Sequence, residues 1–317
     1  MSPTLRITVA VAAVAVVVGA FVRQGEPAPP EASERTTDTM DLSAYSDASP
    51  QDGLRLLFIH HSCGGQLFAP AGPEDQGESC IYDEAENGGG LRPMLEAAGY
   101  EIHEASYNSK IGHNTDTFDW LPKFRDQLDL VLKLDNQDTF FEDGRENQVI
   151  MFKSCYPNNV FVGRGTPPGN PAGPELTVEN AKATFRALLP IFAQHPERLF
   201  VLVTAPPKVL RREPVGKVLV KRLLGRTTLI DSGPWAREFN TWLVDDARGW
   251  LAGYEGKNVV VFDYYDILTG HGRSNFSMYG SGPDHMDDHP RSEGNKLAAQ
   301  AFLPFLNRAV RRAGLSE

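Results

Sequence analysis

Apolar residues along the chain fall into two patterns. In the first they form compact runs, Leu54 to Ile59, Tyr100 to Ala105, Gln148 to Phe152, Leu199 to Thr204 and Asn258 to Phe262, which give way abruptly to polar residues, glycine or proline. A run with little polar alternation marks a strand buried on both faces, as in the middle of a parallel sheet. In the second pattern they recur every three or four positions, over Leu91 to Ala98, Val178 to Gln194, Ala236 to Leu251 and Glu293 to Ala313. That spacing predicts helices with one buried face. Strands separated by helices imply crossover connections, so the pattern predicts an α/β fold, a three-layer α/β/α sandwich around a mostly parallel sheet.

Ligands of such sheets sit beyond the carboxyl ends of the strands. The residues there are His60-His61-Ser62-Cys63-Gly64-Gly65, Asn108 to Gly112, Lys153 to Asn159, Ala205-Pro206-Pro207 and Asp263-Tyr264. Ser62 stands just past the first run and is followed by two glycines, which let backbone approach a ligand closely. A serine in that place serves either as a helix cap or as a nucleophile. The segment Asp284-His285-Met286-Asp287-Asp288-His289-Pro290, just before the last helical pattern, joins a histidine to nearby carboxylates. A carboxylate fixes the tautomer of an imidazole and stabilises the imidazolium formed when a serine gives up its proton. The plain alternative is a solvated acidic loop ahead of a helix started by Pro290.

These blocks stand in the order found in SGNH/GDSL hydrolases, and from Leu54 to Leu306 the chain resembles that family. Its serine follows the first strand, a glycine and an asparagine follow the second and third, and its histidine lies in a late D-x-x-H-P or D-x-H-P segment. Ser62, Gly112, Asn158 and His289 take those places, with Asn159 an alternative to Asn158. Phe58-Ile59-His60-His61-Ser62 replaces G-D-S, and Ser154 to Asn159 replaces G-x-N-D. Because Met286 lies three before His289, the D-x-H form assigns Asp287 as orienter, with Asp284 and Asp288 still open. The resemblance implies a flavodoxin-like sheet, a catalytic set of Ser62, His289 and Asp287, and an oxyanion hole made by the N–H groups of Ser62 and Gly112 and the amide of Asn158. It implies no metal and no organic cofactor.

Composition narrows the partners. The 317 residues carry a formal charge of -10, which disfavours nucleic acid, since phosphate contacts need a surplus of Lys and Arg. Ile7 to Val22 is an almost unbroken apolar run between Arg6 and Arg23, so residues 1–24 form either a cleaved export signal or an uncleaved membrane anchor. Residues 25–52, rich in Pro, Glu, Ser, Thr and Asp, are expected to be a disordered linker to a hydrolase domain over 53–317. The protein is then secreted or anchored on the extracytoplasmic side. If two of Cys63, Cys80 and Cys155 are bridged there, Cys80–Cys155 is the expected pair. Lys208 to Arg226 mixes basic and aliphatic residues, as suits contact with a membrane surface or a mobile lid. The rival to an acyl-serine mechanism is a metal held by His60, His61, His285, Asp287 and His289. A binding module without turnover is a third reading. The sequence as a whole points to a serine esterase that removes acetyl or short acyl groups from a small-molecule or polysaccharide ester, and acyl transfer would use the same residues.

Overall fold

A computed structural model describes residues 39–51, 53–73 and 79–317. The expected signal or anchor and the first part of the linker lie outside the described residues. The five apolar runs form one sheet: β1 (Leu54–Ile59), β2 (Tyr100–Ala105), β3 (Val149–Phe152), β4 (Leu199–Val203) and β5 (Val259–Phe262). All neighbours are parallel, in the flavodoxin-like order β2-β1-β3-β4-β5. The order reverses between β1 and β3, which opens a crevice at their carboxyl ends.

Alternate residues of each strand feed opposite faces. Leu56, Phe58, Val149, Met151, Val201 and Val203 join one core, and Leu57, Ile59, Ile150, Phe152, Phe200 and Leu202 join the other. The first core is covered by α1 (Ser62–Phe68), α2 (Leu91–Ala97), α8 (Tyr264–Leu268) and α9 (Ser292–Arg312). The second is covered by α3 (Trp120–Asp126), α4 (Leu128–Lys133), α5 (Val178–Phe192) and α7 (Leu229–Val244). There Phe124 contacts Phe152, Phe192 and Phe200 with ring centroids 4.9, 5.0 and 6.0 Å apart. Such edge-to-face aromatic pairs add to the burial of their area.

Two boundaries differ from the expectation. The helix predicted over 236–251 is α7, which starts at Leu229 because Thr228 and Asp231 form a capping box, satisfying donors that apolar spacing does not register. The linker expected as far as residue 52 is docked over 39–51: Leu42 is buried, and Asn307, Arg308 and Arg311 of α9 bond to Asp47 and Ala48. Most of these bonds go to backbone carbonyls, which any sequence supplies.

Candidate active site

The turn after β1 is pinned from both sides. His60 is fully buried, its Nε2 lies 2.9 Å from Glu104 Oε2 and its Nδ1 3.0 Å from His61 O. Arg92 completes this cluster by donating from Nε to Glu104 Oε1 at 2.7 Å. His61 stacks on Tyr107 at 3.7 Å, donates from Nε2 to Gly112 O at 2.9 Å and accepts at Nδ1 from Thr115 Oγ1 at 3.1 Å. Burial pushes the His61 pKa down, in keeping with that neutral tautomer. Ser62 then opens α1. A Cβ on Gly65 would stand 2.0 Å from Cys80 O, and one on Gly64 2.4 Å from His60 Cβ, so both positions need glycine.

His289 comes from a short strand, Asp287–Pro290, paired antiparallel with Gly280–Ser281. Its Nε2 is 2.9 Å from Ser62 Oγ, and its Nδ1 is 2.7 Å from Asp287 Oδ1, which also accepts the His289 N–H at 2.8 Å. Partial burial disfavours the Asp287 carboxylate, but the two His289 donors outweigh it and hold the pKa below the usual range. Residues two apart on a strand share a face and neighbours oppose, so Asp288 points away. It is buried and accepts from Lys208 Nζ at 2.5 Å, Arg211 Nη2 at 2.8 Å and the Val209 N–H at 2.9 Å. Asp284 is exposed.

The expected oxyanion donors are arranged differently. The Ser62 N–H, at the first position of α1, has no acceptor among the described residues. The Gly112 N–H donates to Ser109 Oγ at 2.7 Å. Asn158 donates to Asp116 Oδ1 and Cys155 O and accepts from the Thr117 N–H and hydroxyl, so its amide is fully occupied. Asn159 is likewise bound to Ala205 O, Pro206 O and Asn240. In this arrangement the Gly112 N–H and the Asn158 amide, the donors expected to line an oxyanion hole, are engaged in tying loops together. Lys123 supports the same loop by donating to Ile111 O and Asn114 O, and burial lowers its pKa to about 8.

Several residues near Ser62 stood in the sequence without a role at the site. Lys153 is fully buried and its Nζ stands 3.1 Å from Ser154 O and 3.5 Å from Cys155 Sγ. Cys155 lies beside Cys63: the neighbouring Cys63 and Lys153 pull the Cys155 thiol down, while burial pushes the Cys63 thiol up. All three cysteines are thiols, and Cys155 meets Cys63 where the expected bridge paired it with Cys80. A strand-end position was the available signal for both. Tyr156 presents an edge to His289 at 5.3 Å, and Lys208 Nζ lies 4.7 Å above the Tyr156 ring.

The five residues proposed for a metal do not converge. His60 turns to Glu104, His61 to Gly112 and Thr115, His285 to Gly280 O and His289 to Ser62 and Asp287. No group of three or more His, Cys, Asp or Glu that could hold an ion occurs among the described residues.

Fold and site define an α/β protein with a hydrogen-bonded Ser–His–Asp line at the sheet's switch point. No protein-family model and no curated protein matches the sequence. Among solved structures the chain is similar to a gut microbial diltiazem-metabolizing enzyme, with 12% identity, a TM-score of 0.40 and coverage of 81% of this chain and 48% of that one. It is also similar to a carbohydrate esterase whose active site displays divergent catalytic and non-catalytic binding functions, with 13% identity, a TM-score of 0.34, and coverage of 82% and 66%. A carbohydrate esterase family 2 enzyme with a carbohydrate-binding domain, from Corynascus thermopiles (Myceliophthora fergusii), shares 12% identity at a TM-score of 0.39, with coverage of 84% and 68%. The chain spans about half the length of the diltiazem-metabolizing enzyme.

Proposed function

We propose that this protein is a serine esterase. The observation that carries the reading is the continuous line from Ser62 Oγ to His289 Nε2 at 2.9 Å and from His289 Nδ1 to Asp287 Oδ1 at 2.7 Å. With Nδ1 carrying the proton donated to Asp287, Nε2 is free to take the Ser62 proton as Oγ attacks an ester carbonyl. The Ser62 N–H is the donor we assign to the developing oxyanion, charge that exists only in the transition state. Collapse breaks the bond to the alcohol, which leaves with the proton from His289 and an acyl group on Ser62. Water then loses a proton to His289 as it attacks the acyl carbon, and collapse breaks the bond to Ser62, whose Oγ recovers the proton from His289 as the acid is freed.

The finer reading is removal of acetyl or short acyl groups from carbohydrate or envelope polymers. It is supported by the family resemblance and by the export-type run Ile7 to Val22, which implies an extracytoplasmic substrate. The test is hydrolysis of p-nitrophenyl acetate and release of acetate from acetylated polysaccharide by purified protein. Ser62→Ala and His289→Ala each remove most of the activity without unfolding the protein, and the double variant is scarcely worse, since residues acting as one unit lose activity non-additively. Activity sensitive to a chelator and retained in Ser62→Ala would defeat the reading.

A further inference from the structure

The segment 208–226 contains a helix that inverts the usual rule of burial. α6 (Val215–Leu223) contributes no buried residue. Val215, Leu219 and Leu223, four apart and therefore stacked on one face, are 69%, 47% and 76% exposed, with Val220 at 55% and Leu224 at 63% beside them. Ile230, in the first turn of α7, is a further exposed aliphatic at 61%. The polar side of α6 holds it in this attitude: Lys221 and Lys217 reach Glu213 Oε1 at 2.6 and 3.8 Å, and Glu213 also accepts the Leu229 N–H at 3.2 Å. A contiguous exposed apolar patch of this kind marks an interaction site.

Charge selects the partner. Segment 208–226 carries Lys208, Arg211, Arg212, Lys217, Lys221, Arg222 and Arg226 against the single acid Glu213, in a chain whose net charge is -10. Arg212, Arg222 and Arg226 are exposed and have no carboxylate partner among the described residues. Aliphatic side chains on one face of a helix, flanked by unpaired guanidinium groups, fit the boundary between acyl chains and anionic headgroups. The rest of this acidic protein would be repelled from such a surface, so the patch also fixes the orientation of approach.

We infer that α6 and its flanking arginines dock on an anionic lipid bilayer. The segment that carries α6 also reaches the strand of His289. Lys208 and Arg211, from the same segment, hold Asp288 next to His289, and Lys208 covers Tyr156. The inference does not rest on the esterase reading.

Hydrogen–deuterium exchange of the full chain tests it, because a local readout separates α6 from any binding by the apolar run at residues 7–22. The probes are vesicles of phosphatidylcholine with and without phosphatidylglycerol. On phosphatidylglycerol vesicles, exchange at 215–224 slows by about tenfold, and roughly 1 M salt reverses it. Leu219→Ser/Leu223→Ser abolishes this protection while the thermal unfolding transition stays in place, since both side chains are exposed. No slowing on anionic vesicles would overturn the inference, as would equal slowing on pure phosphatidylcholine. Slowing without lipid that grows with protein concentration would assign the face to a second copy of this chain.

Discussion

Replacing Asp287 and Asp288 separately by Asn distinguishes chemistry from scaffolding, because the two neighbours point to opposite sides of one strand. The Asp288 side chain is 4% exposed and faces Lys208 and Arg211, themselves 20% and 45% exposed. Breaking a fully buried pair costs ~3–5 kcal/mol. Solvent reaches both cations, and an Asn oxygen can still accept the Val209 N–H, so the expected loss for Asp288→Asn is about 1–3 kcal/mol. In urea it appears as a lower midpoint at unchanged slope. Asp287 is 52% exposed at its side chain, so Asp287→Asn changes stability by no more than ~0.5 kcal/mol. Its effect falls on turnover. An amide can keep its oxygen toward both His289 donors, but it gives up the charge that stabilises the imidazolium, and kcat falls about 10²–10⁴-fold. The reasoning is refuted if Asp288→Asn lowers kcat more than Asp287→Asn while leaving the unfolding midpoint unchanged.

Other parts of the structure make independent predictions. Burial raises Asp263 from its ordinary 3.8 to about 6. The native state then holds a proton that the unfolded chain releases, so this group's stabilising contribution is full below about pH 4 and lost as pH rises to about 6, by up to ~3 kcal/mol. The stability difference between Asp263→Asn and the parent, measured by urea unfolding across that window, should grow in favour of the variant with rising pH. A flat difference would show that Asp263 ionises normally. Gly112→Ala places a Cβ 2.2 Å from Ser106 N and 2.3 Å from Ser106 O, so the loop must move. A drop in melting temperature of several degrees, about 2 kcal/mol or more, is expected, and an unchanged melting curve would contradict the close approach. Cys63 and Cys155, at 0% and 8% exposure, label slowly with maleimide in the native protein. All three cysteines label once it is denatured without reductant, and loss of any pair from that count would reveal a bridge.

The strands were legible because burial on both faces leaves a continuous apolar run, and their parallel pairing followed from the alternation with helices, whereas the flavodoxin-like order came only from the family resemblance. Ser62 and His289, 227 positions apart, were legible as the residues next to those elements. The D-x-H spacing assigned Asp287 to His289 but left Asp284 and Asp288 open, because the choice between neighbours depends on the phase of a two-residue period, which the pairing of Asp287–Pro290 with Gly280–Ser281 fixes. Lys153 stood in the sequence only as the first residue past a strand, and nothing in its spacing signals that it is fully buried against Ser154 O and Cys155. The bonds of Gly112 and Asn158 to Ser109 and Asp116 depend on loop conformation, for which residue spacing carries no signal.

Reaction of the purified protein with a fluorophosphonate, followed by peptide mapping by mass spectrometry, tests the central claim most directly, since the reagent phosphonylates a serine only where its hydroxyl has been activated. The account predicts one adduct, on Ser62, formed at a rate that falls sharply in His289→Ala, with ester turnover lost in step with labelling. An adduct on another serine, or full ester turnover by protein whose Ser62 stays unmodified after exhaustive treatment, would contradict it.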